Sequence, residues 1–304
     1  MAHGHDHGHP GPAGRRDRLL LTLLVTLTVM LADAVGAWLS GSLALLADAG
    51  HLLTDAGGLG LALVATVLVE RPPSDARTWG FRRAEILGAA VQSALLLAVG
   101  VYVLVEAVRR LFQPAPVTSG TMLVFGLAGL IGNGAGILLL AGDRAEGLHL
   151  RAAFLDVLND ALASVAVLVA AAVIRVTGWT RADAVVSLVI GALILPRTWR
   201  LLREAVDVLM EATPKDVDLA AVRTHLLGVP HVLGVHDLHA TTVATGLPVL
   251  TAHVVVHDAC FRHGDLPAML DRLQSCLAGH FDVVHSTFQF EPAGHAAHEH
   301  QGHG

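Results

Sequence analysis

Long apolar stretches dominate the first two thirds of the chain. Each of six stretches is long enough to cross a bilayer as a helix, for which about 20 apolar residues suffice. They cover residues 19–40, 43–69, 85–111, 118–141, 149–175 and 182–202. The pattern therefore predicts six transmembrane helices in a membrane domain at 19–205, after an N-terminal tail at 1–18.

Residues 206–292 follow a different pattern. Helical periodicity at 216–228 and 265–281 alternates with apolar–polar alternation at 231–244, 248–257 and 282–291. The order αββαβ with short turns predicts an α+β domain of about 87 residues with its own small core. A tail rich in Gly, Ala and His follows at 293–304.

Arginine residues are distributed unevenly between the two ends of the predicted helices. Twelve lie on the side of the N-terminus and the even-numbered loops, and four lie on the opposite side. Since cytoplasmic loops carry the excess of positive charge, both termini are predicted to be cytoplasmic. The first apolar stretch is longer than 20 residues, whereas the apolar region of a signal peptide has about 7–15, so we do not expect it to be a cleaved signal peptide.

Composition supports a membrane protein and excludes several classes of function. Of the 304 residues, 53 % are hydrophobic and only 15 % are charged, against about 25 % charged in soluble domains. The net charge of −6 provides no basic surface for nucleic acid. With Lys215 as the single lysine, and with neither a P-loop nor an HExxH motif, the sequence does not predict an enzyme.

Two predicted spans carry ionisable pairs, which are expensive within a bilayer and mark functional candidates. His51 and Asp55 are four residues apart in the second span, and Asp156 and Asp160 are four residues apart in the fifth. This spacing places each pair on one helix face. One imidazole and three carboxylates suit Zn²⁺, although the pairs can also be read as helix–helix hydrogen bonds.

Metal binding at these positions would be coupled to protons. The ligands must lose their protons to bind a metal, so metal ions and protons compete for the same atoms. Among the other polar residues of the spans, Asp33, Asn133 and Asn159 are interpreted as structural, and Asp48 as a residue that orients a ligand.

Three runs of sequence resemble the cation diffusion facilitator family, in its bacterial zinc/cadmium/cobalt branch. They are SGSLALLADAGHLLTD, DARTWGFRRAEIL and AAFLDVLNDALASV, and the resemblance covers about 19–292. It implies a proton-coupled exporter of Zn²⁺, with Cd²⁺, Co²⁺, Fe²⁺ or Mn²⁺ as further candidates. It also implies a homodimer in the inner membrane, in contact with lipid, with a cytoplasmic ferredoxin-like domain. The transport ligands carried over are His51, Asp55, Asp156 and Asp160.

The fifth span departs from the family pattern. Zinc-transporting members commonly have HxxxD on both spans, whereas this chain has Asp156 where a histidine is often found. Because extra oxygen ligands favour harder ions such as Mn²⁺, the physiological metal stays open, with zinc the first expectation.

The resemblance also points to a cytoplasmic metal site formed by His236, His253 and His285. Strand alternation puts His285 on the same face as Glu291, which could complete the set. The same rule puts His236 and His239 on opposite faces.

Two further expectations remain from the sequence. Asp75 matches a loop position that some family members use for metal, but the companion histidines are missing here. An alternative function is a membrane-anchored metal sensor or scaffold, whose soluble domain binds metal while the spans only anchor it. The four intramembrane ligand candidates argue against this alternative.

Overall fold

The computed structural model describes residues 12–69, 71–141, 148–281, 283 and 285–295. These residues form nine α-helices and three β-strands. The chain divides into two compact units, one of residues 1–61 and 91–202, the other of residues 62–90 and 203–304. The histidine-rich ends, 1–11 and 296–304, lie outside the described residues.

Six long helices occupy the predicted spans. They are α1 (Pro12–Ser40), α2 (Leu43–Val69), α3 (Ala84–Phe112), α4 (Ser119–Ala141), α5 (Leu148–Thr177) and α6 (Arg181–Leu209). Within the described residues, five of them contain an apolar stretch long enough to cross a membrane, and α2 contributes the shorter apolar stretch Leu43–Thr54. Helices satisfy their own backbone hydrogen bonds, which the bilayer interior requires. The predicted six-helix membrane protein is confirmed.

Small residues let the membrane helices approach closely. Helix α4 packs against α1 and α5. A side chain at Gly132 of α4 would overlap Val29 of α1, and a Cβ atom at Gly36 would lie 2.6 Å from the Phe125 side chain. Glycine at these contacts permits the close helix packing that stabilises proteins in lipid.

The C-terminal part of the chain forms an α+β domain. Its elements are α7 (Leu219–Leu227), β1 (Val232–Ala244), β2 (Leu247–Val256), α8 (Asp258–His263), α9 (Leu266–His280) and β3 (His285–Pro292). Strand β2 is central, antiparallel to β1 and parallel to β3. The predicted αββαβ order is confirmed, with the short helix α8 added before α9.

The core of this domain lies on one face of the sheet. Leu250 and Val254 of β2 are fully buried together with Leu226 of α7 and Leu273 of α9. Residues 251, 253 and 255 alternate with this buried set, so they point to the face opposite the core helices. That second face carries the polar side chains considered below.

A β-bulge in β1 changes which histidines share a face. His236 pairs with His253, whereas His239 pairs with Thr251, and the register shifts between them. Asp237, within the bulge, has a φ of 45°. Since residues 251 and 253 point to the same side of β2, His236 and His239 do too. The prediction of opposite faces is wrong because the extra residue breaks the two-residue period.

Candidate metal centres

The first candidate centre lies between α2 and α5. His51 Nε2 lies 3.5 Å from Asp160 Oδ1, with side-chain exposures of 20 % and 7 %. The structure thus brings together one member of each predicted ligand pair. Asp55 and Asp156 belong to the same two helices, four residues from His51 and Asp160, and their side chains lie outside the described part of the structure.

Further polar groups line the helices that surround this pair. Asp33 and Asp48 are buried, with 0 % and 1 % exposure. Asn133 Nδ2 donates to Ser164 Oγ over 3.2 Å and so links α4 to α5. At Gly129 a Cβ atom would lie 3.2 Å from Ser164 Oγ and 3.4 Å from Asp33 Oδ1, so glycine leaves room for these polar groups.

The second candidate centre joins the three strands of the cytoplasmic sheet. Glu291 of β3 lies between the two histidines, with Oε2 3.0 Å from His236 Nε2 and Oε1 2.7 Å from His253 Nδ1. The two imidazole rings are 5.0 Å apart between centroids. Each strand therefore contributes one ligand candidate, because His236 pairs directly with His253 and β3 adds alongside β2.

Glu291 is held as an ionised acceptor in this centre. Its side chain is 1 % exposed, and Gln289 Nε2 donates to Oε1 over 2.9 Å. Burial alone raises the pKa of Glu291, but the hydrogen bonds from His236 and Gln289 and the nearby histidine charges outweigh it, so the pKa lies below its ordinary value. At neutral pH the carboxylate is available to a cation.

The donor set fits a zinc ion. One ligand atom from each of His236, His253 and Glu291 lies within 4.8 Å of the others. Two imidazole nitrogens and one carboxylate oxygen are ordinary zinc ligands and leave a fourth position for another ligand. The histidine side chains, 34 % and 25 % exposed, leave an approach from the surface. In the part of the chain that the structure describes, this is the one group of three or more such residues close enough to hold a metal.

His285, the third histidine predicted for the cytoplasmic site, lies apart from His236, His253 and Glu291. It pairs with Val249 at the start of β3, and its ring packs edge-on against Trp79 at 5.2 Å between centroids. It lies six positions before Glu291 along the strand, which is about 20 Å. Within one chain the structure assembles two of the three predicted histidines, with Glu291 as their third partner. Asp75 is exposed in the loop between α2 and α3.

Together, the apolar helices and the two groups of candidate metal ligands are typical of a multi-pass membrane protein that transports metal ions. Comparison with known proteins identifies the family. The family model for the cation efflux transmembrane domain matches residues 19–210, and that for the cation efflux protein cytoplasmic domain, named ZT_dimer, matches residues 214–293. The chain belongs to the cation efflux family, also called the cation diffusion facilitators, and is a membrane metal transporter, not an enzyme.

Curated relatives match over nearly their full length. The metal cation efflux system protein CzcD of Cupriavidus metallidurans is 41 % identical, covering 96 % of this chain and 91 % of the relative. The zinc transporter ZitB of Escherichia coli is 39 % identical, covering 96 % and 93 %. A protein of Bacillus velezensis named as a cadmium, cobalt and zinc/H(+)-K(+) antiporter is 33 % identical, with coverages of 96 % and 93 %.

Proposed function

We propose that the protein exports Zn²⁺ from the cytoplasm in exchange for protons, with Cd²⁺ and Co²⁺ as further substrates. The metal binds His51, Asp55, Asp156 and Asp160 between α2 and α5. The observation that supports this site is the 3.5 Å approach of His51 to Asp160 across the two helices, each four residues from a further carboxylate. The name of the Bacillus velezensis relative, which includes H(+) antiport, supports the exchange.

Exchange follows from the chemistry of the ligands. Carboxylates and imidazole bind a divalent cation only when they are deprotonated, so protons arriving from the outer side displace the metal. A metal arriving from the neutral cytoplasm displaces those protons in turn. Rocking of helices about a site near the middle of the membrane provides access to one side at a time.

The cytoplasmic centre has a separate role in this proposal. His236, His253 and Glu291 hold a resident zinc ion, which fastens the three strands of the domain to one another. Binding there biases transport only if the metal prefers one conformation of the protein. Both termini lie in the cytoplasm, the protein resides in the inner membrane, and two copies form a homodimer. The ZT_dimer match at residues 214–293 supports this last step.

The test is metal flux into proteoliposomes under an imposed pH gradient. Wild type is compared with Asp160→Asn and with the control Asp207→Asn for Zn²⁺, Cd²⁺, Co²⁺ and Mn²⁺. Asp207 is a matched control because the substitution is the same but the side chain is 46 % exposed. Its ion pair, at 4.0 Å, is with Arg203 of the same helix. We expect gradient-driven Zn²⁺ flux in wild type and Asp207→Asn and none in Asp160→Asn.

Two results would contradict the proposal in different ways. Full Zn²⁺ flux in Asp160→Asn would reject the site between α2 and α5. No flux of any metal in wild type, while zinc binding that depends on His253 persists, would support the alternative of a membrane-anchored metal sensor. The observation that supports this alternative is the cluster of His236, His253 and Glu291 in the cytoplasmic domain.

A further inference from the structure

Asp183 connects the start of α6 to the start of α2. Its carboxylate is fully buried, with 0 % exposure. Oδ1 accepts from Ser42 Oγ over 2.5 Å and from Ala44 N over 3.2 Å, and Oδ2 accepts from Leu43 N over 2.8 Å. A buried carboxylate is tolerated only with such partners, so this side chain fixes the distance between the two helix ends.

The contacts form a helix cap supplied by another helix. The first N–H groups of a helix have no partner within it. Ser42 Oγ accepts a hydrogen bond from Leu45 N over 3.2 Å. The Asp183 carboxylate accepts hydrogen bonds from the N–H groups of Leu43 and Ala44. The negative carboxylate also lies at the positive end of the α2 dipole. Asp183 therefore stabilises the first turn of α2 and anchors it to α6.

A third helix joins the same junction. Arg110, near the end of α3, donates from Nη1 to the carbonyl of Gly41 over 2.6 Å and lies 3.9 Å from Asp183 Oδ2. Its Nε donates to Glu106 Oε1 over 3.1 Å, and Arg109 contacts the same carboxylate at 3.4 Å. Two arginines thus face two carboxylates, and the ends of α2, α3 and α6 are held together.

We infer that Asp183 is a positioning residue for the transport site, an inference that rests on the proposed function. A helix is stiff and rises 1.5 Å per residue, so His51 lies about 12 Å from Leu43 along α2. Anchoring the first turn sets the depth and rotation of α2, and hence where His51 meets Asp160. The described contacts of the Asp183 carboxylate are with the start of α2 and with α3, so it acts on the ligands through α2.

The test separates positioning from simple stability. Full-length protein carrying His253→Ala, which removes the cytoplasmic centre, is loaded with Co²⁺. The visible absorption of the metal then reports the coordination geometry at the transport site, and competition with Zn²⁺ gives the affinity. Asp183→Asn and the milder Ser42→Ala are compared with Asp207→Asn on the same helix. Asp160→Ala identifies the part of the spectrum that belongs to the transport site.

We expect Asp183→Asn to weaken Zn²⁺ binding about tenfold, the lower end of the loss caused by removing a group that contacts a metal ligand directly, and to change the Co²⁺ spectrum. Ser42→Ala is expected to change the Zn²⁺ affinity and the Co²⁺ spectrum in the same direction, but by less. Asp207→Asn is expected to change neither the affinity nor the spectrum. A lower melting temperature in Asp183→Asn and Ser42→Ala with wild-type spectrum and affinity would overturn the inference, leaving a structural role only. A wild-type protein without an Asp160-dependent spectrum would instead overturn the proposed site, and the positioning role with it.

Discussion

The two proposed metal centres combine histidine and carboxylate ligand candidates on different scaffolds. Between α2 and α5, His51 and Asp160 belong to two separate helices and are 3.5 Å apart. In the cytoplasmic domain, the ligands belong to three hydrogen-bonded strands, and Glu291 already contacts both His236 and His253. A sheet fixes its ligands relative to one another, whereas two helices can change their relative positions.

This difference suggests how one chain can retain one ion and release another. A site whose ligands are held in place before binding spends little free energy on ordering them and therefore binds tightly. A site shared between separate helices loses its geometry when the helices move, and the ion can then leave. In the proposed function, the nature of the scaffold, more than the identity of the ligands, distinguishes the resident ion from the transported one.

Crossed substitutions of one histidine in each centre provide the largest predicted effect. His51→Ala is expected to reduce Zn²⁺ flux by at least about 100-fold, because loss of a ligand exceeds the effect of losing its supporting partner. His253→Ala is expected to abolish zinc binding by the cytoplasmic centre while flux continues. Flux assays and equilibrium dialysis on both variants check this, and equal effects of the two on flux would remove the distinction between the centres.

Asp156→His alters the ligand chemistry of the transport site alone. It replaces an oxygen ligand candidate by nitrogen and so disfavours harder ions. We expect the ratio of Zn²⁺ to Mn²⁺ flux to rise about tenfold, a change of about 1.4 kcal/mol in relative barrier. Parallel flux measurements with the two metals check this, and an unchanged ratio would mean that Asp156 does not set selectivity.

Substitutions along β3 test which residue completes the cytoplasmic centre. Glu291→Gln removes the charge that both histidines contact and is expected to weaken zinc binding there about 10- to 100-fold. Gln289→Ala removes one hydrogen bond to Glu291 and is expected to have a smaller effect in the same direction. His285→Ala is expected to change nothing in calorimetric titrations, and a loss comparable to that of Glu291→Gln would restore His285 as a ligand.

The smallest predicted effect concerns pH. Because the pKa of Glu291 is lowered in the folded protein from its ordinary 4.5, its ionised form stabilises the metal-free fold above that pH. The contribution is lost as the pH falls through the lower folded value. When the pH is lowered below 4.5, the melting temperature of metal-free wild type is therefore expected to fall about 2 °C further than that of metal-free Glu291→Gln. Parallel melting curves would contradict this expectation.

The amino-acid sequence predicts those features that depend on local periodicity. Six apolar stretches predict the six long helices, and the spacing of four within each pair, His51 with Asp55 and Asp156 with Asp160, identifies the candidate transport ligands. Alternation likewise identifies the strands of the cytoplasmic sheet. These signals are local because each depends on residues within a few turns or one strand.

Other features depend on contacts that spacing does not encode. The bulge at Asp237 adds a residue to β1 and brings His239 to the face of His236, against strict alternation. Glu291, rather than His285, meets the two histidines because the parallel register places Glu291 beside Val255, two residues beyond His253, and His285 beside Val249, four residues before it. Asp183 reaches α2 across 140 positions of sequence, and no sequence motif indicates that contact.

The place of Glu291 in the last strand also has a consequence for biosynthesis. His236 and His253 belong to one hairpin, which can pair soon after it leaves the ribosome, whereas Glu291 follows 38 positions after His253, beyond α9. A chain is made from its N-terminus, so the carboxylate can join the histidines only after α9 and β3 have been synthesised. Full metal affinity in the cytoplasmic domain is therefore expected only of a chain that includes β3, and a chain truncated before β3 would lack the third ligand candidate.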